Sequence, residues 1–196
     1  ARQSGHDNVR NVTSHPLSGI DPKEWIATRD LSRRLQEMVV GSREFSDLPR
    51  KFNIALCGRP DPADHVWTQD LSFVAARGGD GSVGFHLLLG GNQGQAPALA
   101  RAVPVFVRPA QVPDVTAAVL RTFRELGDRH NRHQVRFRFL IVRIGVAGAR
   151  AEIEARLGTA LERLDRLPAP SVREERFVGW FPQRQEGRWA GRRFPV

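Results

Sequence analysis

Leu48-Pro49-Arg50-Lys51-Phe52-Asn53-Ile54-Ala55-Leu56-Cys57 passes from adjacent cations into an unbroken apolar run, and the reading of that run decides the fold. Read as a strand over Phe52 to Cys57, it sends Lys51 and Asn53 to one face and Arg50 and Phe52 to the other, because side chains alternate along extended backbone. One face then offers an ammonium beside a carboxamide. Upstream, Asp7-Asn8-Val9-Arg10-Asn11 strings carboxamides and an arginine, with Thr13, ahead of the turn His15-Pro16-Leu17-Ser18-Gly19. That upstream stretch reads as a polar loop. The two motifs together describe a pocket for an anion, with Arg10, Lys51 and Asn53 as its candidate contacts.

Composition is compatible with such a pocket. The formal net charge is +9, and of 30 basic residues only Lys23 and Lys51 are lysines. A general preference for arginine explains most of this. Lys51 still stands out, because a compact ammonium shifts its pKa on burial and can give up a proton, whereas a guanidinium stays charged. Lys23 reads as ordinary helix surface. A chain of 196 residues with 40% hydrophobic content builds a sizeable core and suits one domain, or one and a fraction. No apolar stretch approaches the roughly 20 residues that span a bilayer, and no charged-then-apolar leader opens the chain. The expectation is a soluble, cytoplasmic protein with no membrane partner. The single cysteine, Cys57, forbids an internal disulfide framework and favours a reducing compartment. The opening at Ala1 rather than Met implies a piece of something longer.

Alternating elements follow along the chain. Asp21-Pro22 predicts a helix start, running to about Val40 with Trp25, Ile26, Leu31, Leu35, Met38 and Val39 as its apolar stripe, and Gly41-Ser42 ends it. Leu71 to Ala76 and Val83 to Leu89 read as strands joined by the Gly78-Gly79-Asp80-Gly81 hairpin signal, and with Phe52 to Cys57 they suggest an antiparallel sheet. After a run at Val103 to Val107, Gln111 to Leu126 predicts an amphipathic helix with Val115, Ala118, Val119, Thr122 and Phe123 facing inward. Gln134 to Ile144 fits strand or helix, and Ala149 to Leu164 fits a helix with surface acid/base pairs. Leu167-Pro168-Ala169-Pro170 reads as a linker. The expected fold is α/β (α+β), a mixed or antiparallel sheet packed by helices.

Other constellations are weaker. The six histidines show no paired metal spacing, and His130 and His133 stand among arginines that repel a cation. Asp61 and Asp64 lie among prolines and read as turn formers. Cys57 reads as a small core residue. The Gly90-Gly91-Asn92-Gln93-Gly94 run reads first as a turn and second as a place of close backbone approach to a ligand.

Taken in order, these motifs resemble the siroheme-containing nitrite and sulfite reductase family. The resemblance is carried by the Asp7 to Asn11 stretch, Pro49-Arg50-Lys51-Phe52, Asp70-Leu71, the Gly90 to Gly94 turn, Arg136 to Leu140, Phe177-Val178-Gly179 and Pro182-Gln183. It implies a siroheme-binding domain over residues 1–166, a linker at 167–172 and the start of a second ferredoxin-like repeat at 173–196. It implies that Arg10, Lys51 and Asn53 surround the distal face of the siroheme, where the substrate anion binds. It also implies that Arg50 and Arg138 pair with carboxylates of the macrocycle, with Asn11, Thr13, Gly91 and Asn92 near the cofactor. Asparagine at 53, where sulfite-reducing members carry a second lysine, resembles the nitrite-reducing branch. A monoanion needs less positive charge than a dianion.

The implied activity is oxidoreduction, nitrite (or sulfite) taking electrons from ferredoxin or a similar acidic donor. The implied cofactors are siroheme and a [4Fe-4S] cluster. The family's four cluster cysteines are absent from this sequence, as is a further upstream arginine, so no metal ligand is assigned and this piece alone is expected to be inactive. The rival of another class is a basic nucleic-acid-binding module, suggested by a sequence pI near 11.3 and by Trp67 and Trp189. Against it, the arginines are dispersed among acids. The expectation is no nucleic-acid partner.

Overall fold

The computed structural model describes residues 8–61, 65–94 and 96–168, together with the backbone of Trp180–Pro182 and Arg193–Pro195. Strands β1 (Val9–Ser14), β2 (Phe52–Cys57), β3 (Leu71–Arg77), β4 (Val83–Leu89), β5 (Arg101–Val107) and β6 (Glu162–Arg163) form one sheet in sequence order. β1, β2 and β3 are mutually parallel, and β3 to β6 are antiparallel. Helix α1 (Arg29–Val39) crosses from β1 to β2, while α2 (Val112–Leu126) and α3 (Phe137–Leu157) follow β5. β7 (Trp180–Pro182) and β8 (Arg193–Pro195) pair separately. No helix of the described residues is long and apolar enough to cross a membrane.

The mixed α/β architecture is therefore as expected, but the antiparallel alternative is overturned. β2 and β3 run side by side in the same direction because the chain returns across the sheet end through a 3-10 turn at His65–Thr68. β3 and β4 do form the expected hairpin, closed by Gly81 N–H to the Gly78 carbonyl at 3.0 Å.

Period two divides the sheet into a helix-covered face and an opposite one. Phe52, Ile54 and Leu56 join Leu71, Phe73, Leu87 and Val105 beneath the helices. Ala55 and Cys57 belong to a smaller cluster on the other side with Val66, Trp67, Val74, Leu88 and Ala100. Val115, Ala118, Val119, Thr122 and Phe123 are buried, as the helical spacing of α2 predicts.

Four sequence expectations change. The polar stretch at 9–14 is a strand rather than a loop. Its Val9 and Val12 sit three apart, out of step with a regular strand, and a bulge reconciles them with the register of β2. Second, α1 begins at Arg29, not Pro22, because Asp21 and Glu24 are used elsewhere. Asp21 accepts the Lys23 N–H at 2.9 Å and pairs with buried Arg59 at 3.4 Å. Glu24 accepts the Ser18 hydroxyl and the Gly19 N–H, each at 2.6 Å, and Trp25 N–H is donated to the Gly58 carbonyl at 2.7 Å. Third, Gln134 to Ile144 resolves in favour of helix from Phe137 onward, since Phe137, Leu140 and Ile141 bury one stripe at helical spacing. α3 then runs through a break at Gly145 (φ 70°, ψ 172°). Fourth, the last helix ends at Leu157 on a left-handed Gly158 and not at Leu164, and residues 162–163 instead add an edge strand to β5. Most of the expected linker and second repeat lie outside the described residues.

Three phenyl rings lock β2 to both later helices. Phe52 lies 5.7 Å from Phe123 of α2 and 5.1 Å from Phe137 of α3, and those two lie 5.3 Å apart. All three are essentially unexposed. Phe52→Ala is expected to cost about 3–5 kcal/mol, the usual price of emptying a buried phenyl site. Chemical denaturation monitored by circular dichroism measures it, and a loss under about 1 kcal/mol would show that the rings do not fix the elements.

Candidate functional site

The bulge in β1 is built around Arg10. Val9 pairs with Phe52 and Asn11 pairs with Asn53, so Arg10 is the extra residue opposite a single step of β2. A bulge re-aims a side chain where regular pairing would not. Arg10 is half-buried, and its Nε is buried without a hydrogen-bond partner among the described residues. Asn8, just before β1, is buried, with its Oδ1 in the same condition.

Lys51 and Asn53 stand on the face away from the helices, both half-buried, as alternation predicts. Next to Asn53, on the neighbouring strand's approach, lies Asp70, the residue before β3, whose side chain has no exposure. Asp70 accepts the Asn53 backbone N–H at 2.9 Å. It also accepts Arg136 Nη2 at 3.0 and 3.1 Å through its two carboxylate oxygens. Arg136 is the residue before α3, in extended conformation, so one carboxylate joins β2, β3 and the start of α3.

Charge in this cluster is mostly positive. The Lys51 ammonium is pulled below its ordinary pKa, first by burial and then by Arg10, Arg136 and Arg50, with Asp70 opposing. Burial pushes the Asp70 carboxyl up to about 6, against the pull of Arg136, the Asn53 N–H and Lys51. Arg10, Lys51, Asn53 and Arg50 are therefore brought together. Arg136 and Asp70 complete the group, and sequence reasoning did not assign either to it. The signal was present in Asp70-Leu71 and Arg136 to Leu140, but an aspartate before a strand and an arginine before a helix each have ordinary local explanations.

The remaining candidates are spread around this cluster. Asn11 and Thr13 are exposed on β1, and the Thr13 hydroxyl donates to the Ile54 carbonyl at 3.2 Å. Arg138 lies in the first turn of α3, with its guanidinium over the Phe139 ring at 4.6 Å and Nη1 donating to the Ala96 carbonyl. Gly91 is needed for approach to the protein's own backbone, since a Cβ there would stand 2.5 Å from the Trp67 carbonyl oxygen and 2.6 Å from that of Gln69. Asn92 is buried in the turn, accepting from Gly94 N–H at 3.1 Å and donating to the Ala96 carbonyl at 3.4 Å. Cys57 is buried, and no group of three metal-ligating side chains forms among the described residues. Trp67 is buried too, while Trp189 lies outside the described residues.

The donor set suits a ligand rich in carboxylates beside a small anion. The Nε groups of Arg10, Arg136 and Arg138 are all buried without a partner among the described residues. Each such group costs about 1–3 kcal/mol until an acceptor reaches it, and two of the three, on Arg10 and Arg136, belong to cations that act on the Lys51 ammonium.

Comparison with known proteins gives the same direction. Residues 5–161 match the family model described as nitrite and sulphite reductase 4Fe-4S domain. The chain is 42% identical over 166 residues to a ferredoxin–nitrite reductase of Leptolyngbya laminosa, covering 82% of this chain and 32% of that protein. It is 37% identical over 194 residues to the chloroplastic ferredoxin–nitrite reductase of Arabidopsis thaliana, covering 94% and 33%. Among solved structures it is similar to the Mycobacterium tuberculosis NirA protein, with a TM-score of 0.85 and 30% identity over 92% of this chain and 33% of that one. The chain thus spans about a third of the length of the curated relatives it matches.

The carboxyl of Asp70 binds its proton more tightly folded than unfolded, where a value near 4 applies. Its contribution to stability is therefore fully present below about pH 4 and is lost as pH rises through about 6. Comparing the unfolding free energy of the wild type and Asp70→Asn across pH 4 to 7 isolates it, since other groups cancel in the difference. The wild type is expected to lose on the order of 2–3 kcal/mol relative to the variant over that interval. Parallel curves would show that Asp70 titrates as an ordinary carboxylate.

Proposed function

From a chain that belongs to the nitrite and sulphite reductase 4Fe-4S family, we propose that the protein carrying it reduces nitrite to ammonia at a siroheme, with ferredoxin as electron donor. The observation that carries the reading is that alternation puts Lys51 and Asn53 on one face of β2, while Arg10, at the bulge of the neighbouring strand, is near enough to act on the Lys51 ammonium. Siroheme, coupled to a [4Fe-4S] cluster, would supply the electrons. Arg50 and Arg138, with Asn11, Thr13, Gly91 and Asn92 nearby, are the residues we assign to holding the macrocycle. Among these, the buried Nε–H of Arg138 is the feature that fits a carboxylate of the macrocycle.

The chain's own side chains bind and protonate. Arg10 and Lys51 place positive charge against the anion and polarise its N–O bonds. Reduction to ammonia consumes protons at each stage. An ammonium held below its ordinary pKa by burial and neighbouring cations gives its proton up more readily than a free lysine does, which makes Lys51 the donor of choice. Asn53 adds hydrogen bonds without charge, and that favours nitrite over the more highly charged sulfite. A cytoplasmic setting suits the buried free thiol of Cys57. Several arginines are occupied by acids of the same surface, as in Arg108 with Glu162 at 2.8 Å and Arg156 with Glu152, which leaves less positive charge for nucleic acid than composition suggests.

The visible absorption spectrum of the whole protein tests the assignment directly, and absence of a siroheme signature would exclude it. Asn53→Lys is expected to shift the ratio of kcat/KM for nitrite and sulfite toward sulfite by about tenfold or more, since one charge contact is worth on the order of 1–3 kcal/mol. Lys51→Met is expected to depress turnover with both anions. An unchanged ratio in the first variant, or full activity in the second, removes that residue from its role.

A further inference from the structure

A cluster of cations packs together more readily around a counter-charge, and among the described residues Asp70 is the carboxylate that acts on Lys51 against Arg10, Arg136 and Arg50. That carboxylate is not at the surface. Asp70 has no exposed side-chain area and makes three hydrogen bonds, two with Arg136 Nη2 and one with the Asn53 backbone N–H. Its own carbonyl accepts the Gly90 N–H at 2.8 Å, so β3 is tied at the same residue to the turn that packs on α3. The groups that face it are Arg136 from the start of α3, Lys51 and Asn53 from β2 and its approach, and, through Lys51, Arg10 of β1 and Arg50.

We propose that Asp70 is the positioning residue of this cluster: a buried counter-ion that locks β2 to the start of α3 and keeps Lys51 in its cationic, anion-binding form. The geometry gives it two effects at once. By holding the Asn53 N–H, the carboxylate fixes where the Lys51 and Asn53 side chains leave the strand. By its negative charge, held at the Asn53 N–H two residues along from Lys51, it offsets the repulsion of Arg10, Arg136 and Arg50 for the Lys51 ammonium. Arg136 competes for the same carboxylate, so the charge state of Lys51 depends on how Asp70 is shared between them. The anion-binding sense of this role rests on the nitrite reading above, whereas the charge relation between Asp70 and Lys51 does not.

The test reads Lys51 itself. Reductive methylation of the whole protein with ¹³C-formaldehyde labels its lysines, and the NMR signal missing from Lys51→Arg is that of Lys51. Its shift is followed against pH. In Asp70→Asn the Lys51 midpoint is expected to fall by about half a unit or more, because a buried opposing charge has gone. Arg136→Gln, which removes a cation that repels the ammonium and frees the same carboxylate for it, is expected to raise the midpoint in the wild-type background and by less in Asp70→Asn. Asp70→Ser, which leaves space for water at Arg136, carries the same expectation as the amide variant if that one does not fold. A purely structural role for Asp70 would change stability and leave these midpoints in place. Either an Asp70 variant or Arg136→Gln with a native circular dichroism spectrum and an unmoved midpoint overturns the proposal. Midpoints that move as expected in a protein without a siroheme spectrum would sustain the proposal and defeat the nitrite reading instead.

Discussion

Removing a carboxylate completely from water is tolerable only where charge and hydrogen bonds replace the lost solvent, and Asp70 obtains both from separate parts of the fold. Arg136 brings the start of α3, Asn53 brings the backbone of β2, and Asp70 itself opens β3. None of the three contacts is local in sequence. The charged group therefore acts as a specification: the sheet and the last long helix meet in the one arrangement that satisfies it. The same arrangement presents Lys51 and Asn53 on the uncovered face.

Apolar packing supplies the strength that this polar contact lacks. Phe52, Phe123 and Phe137 meet directly on the other side of β2, one residue from Lys51 and Asn53 and one residue from Arg136. Each polar group of the cluster is thus attached to backbone whose neighbouring side chain is anchored in the core. Small shifts of the helices would be felt at the cationic face, since interiors packed at crystal-like density transmit displacement.

Much of this was legible in the sequence where a single period governs a segment. β2, β4 and α2 appear within a residue or two of their expected limits, and alternation placed Lys51 with Asn53 correctly. Expectation failed where particular partners outbid the repeating pattern. Asp21 looks like a helix start, yet it is recruited by Arg59 from across the chain, while Glu24 turns back to Ser18 and Gly19 just before it. Arg136-Phe137-Arg138-Phe139 alternates like a strand, but burial follows Phe137, Leu140 and Ile141. Asp70 could not be recognised as a hub, because what distinguishes it from a turn-forming aspartate is the absence of solvent.

The bulge at Arg10 separates two things that proteins usually entangle. Take the arginine away and Val9, Asn11 and Val12 already alternate core, open face and core, in regular step with Phe52, Asn53 and Ile54. β1 is complete without it. Arg10 is a residue added to a finished strand, so its side chain is not bound to the alternation that packs β1. A site of that kind can lose its charge, change it or move it along the edge while the architecture beneath stays as it was, and selection on the chemistry can proceed with little penalty from the fold.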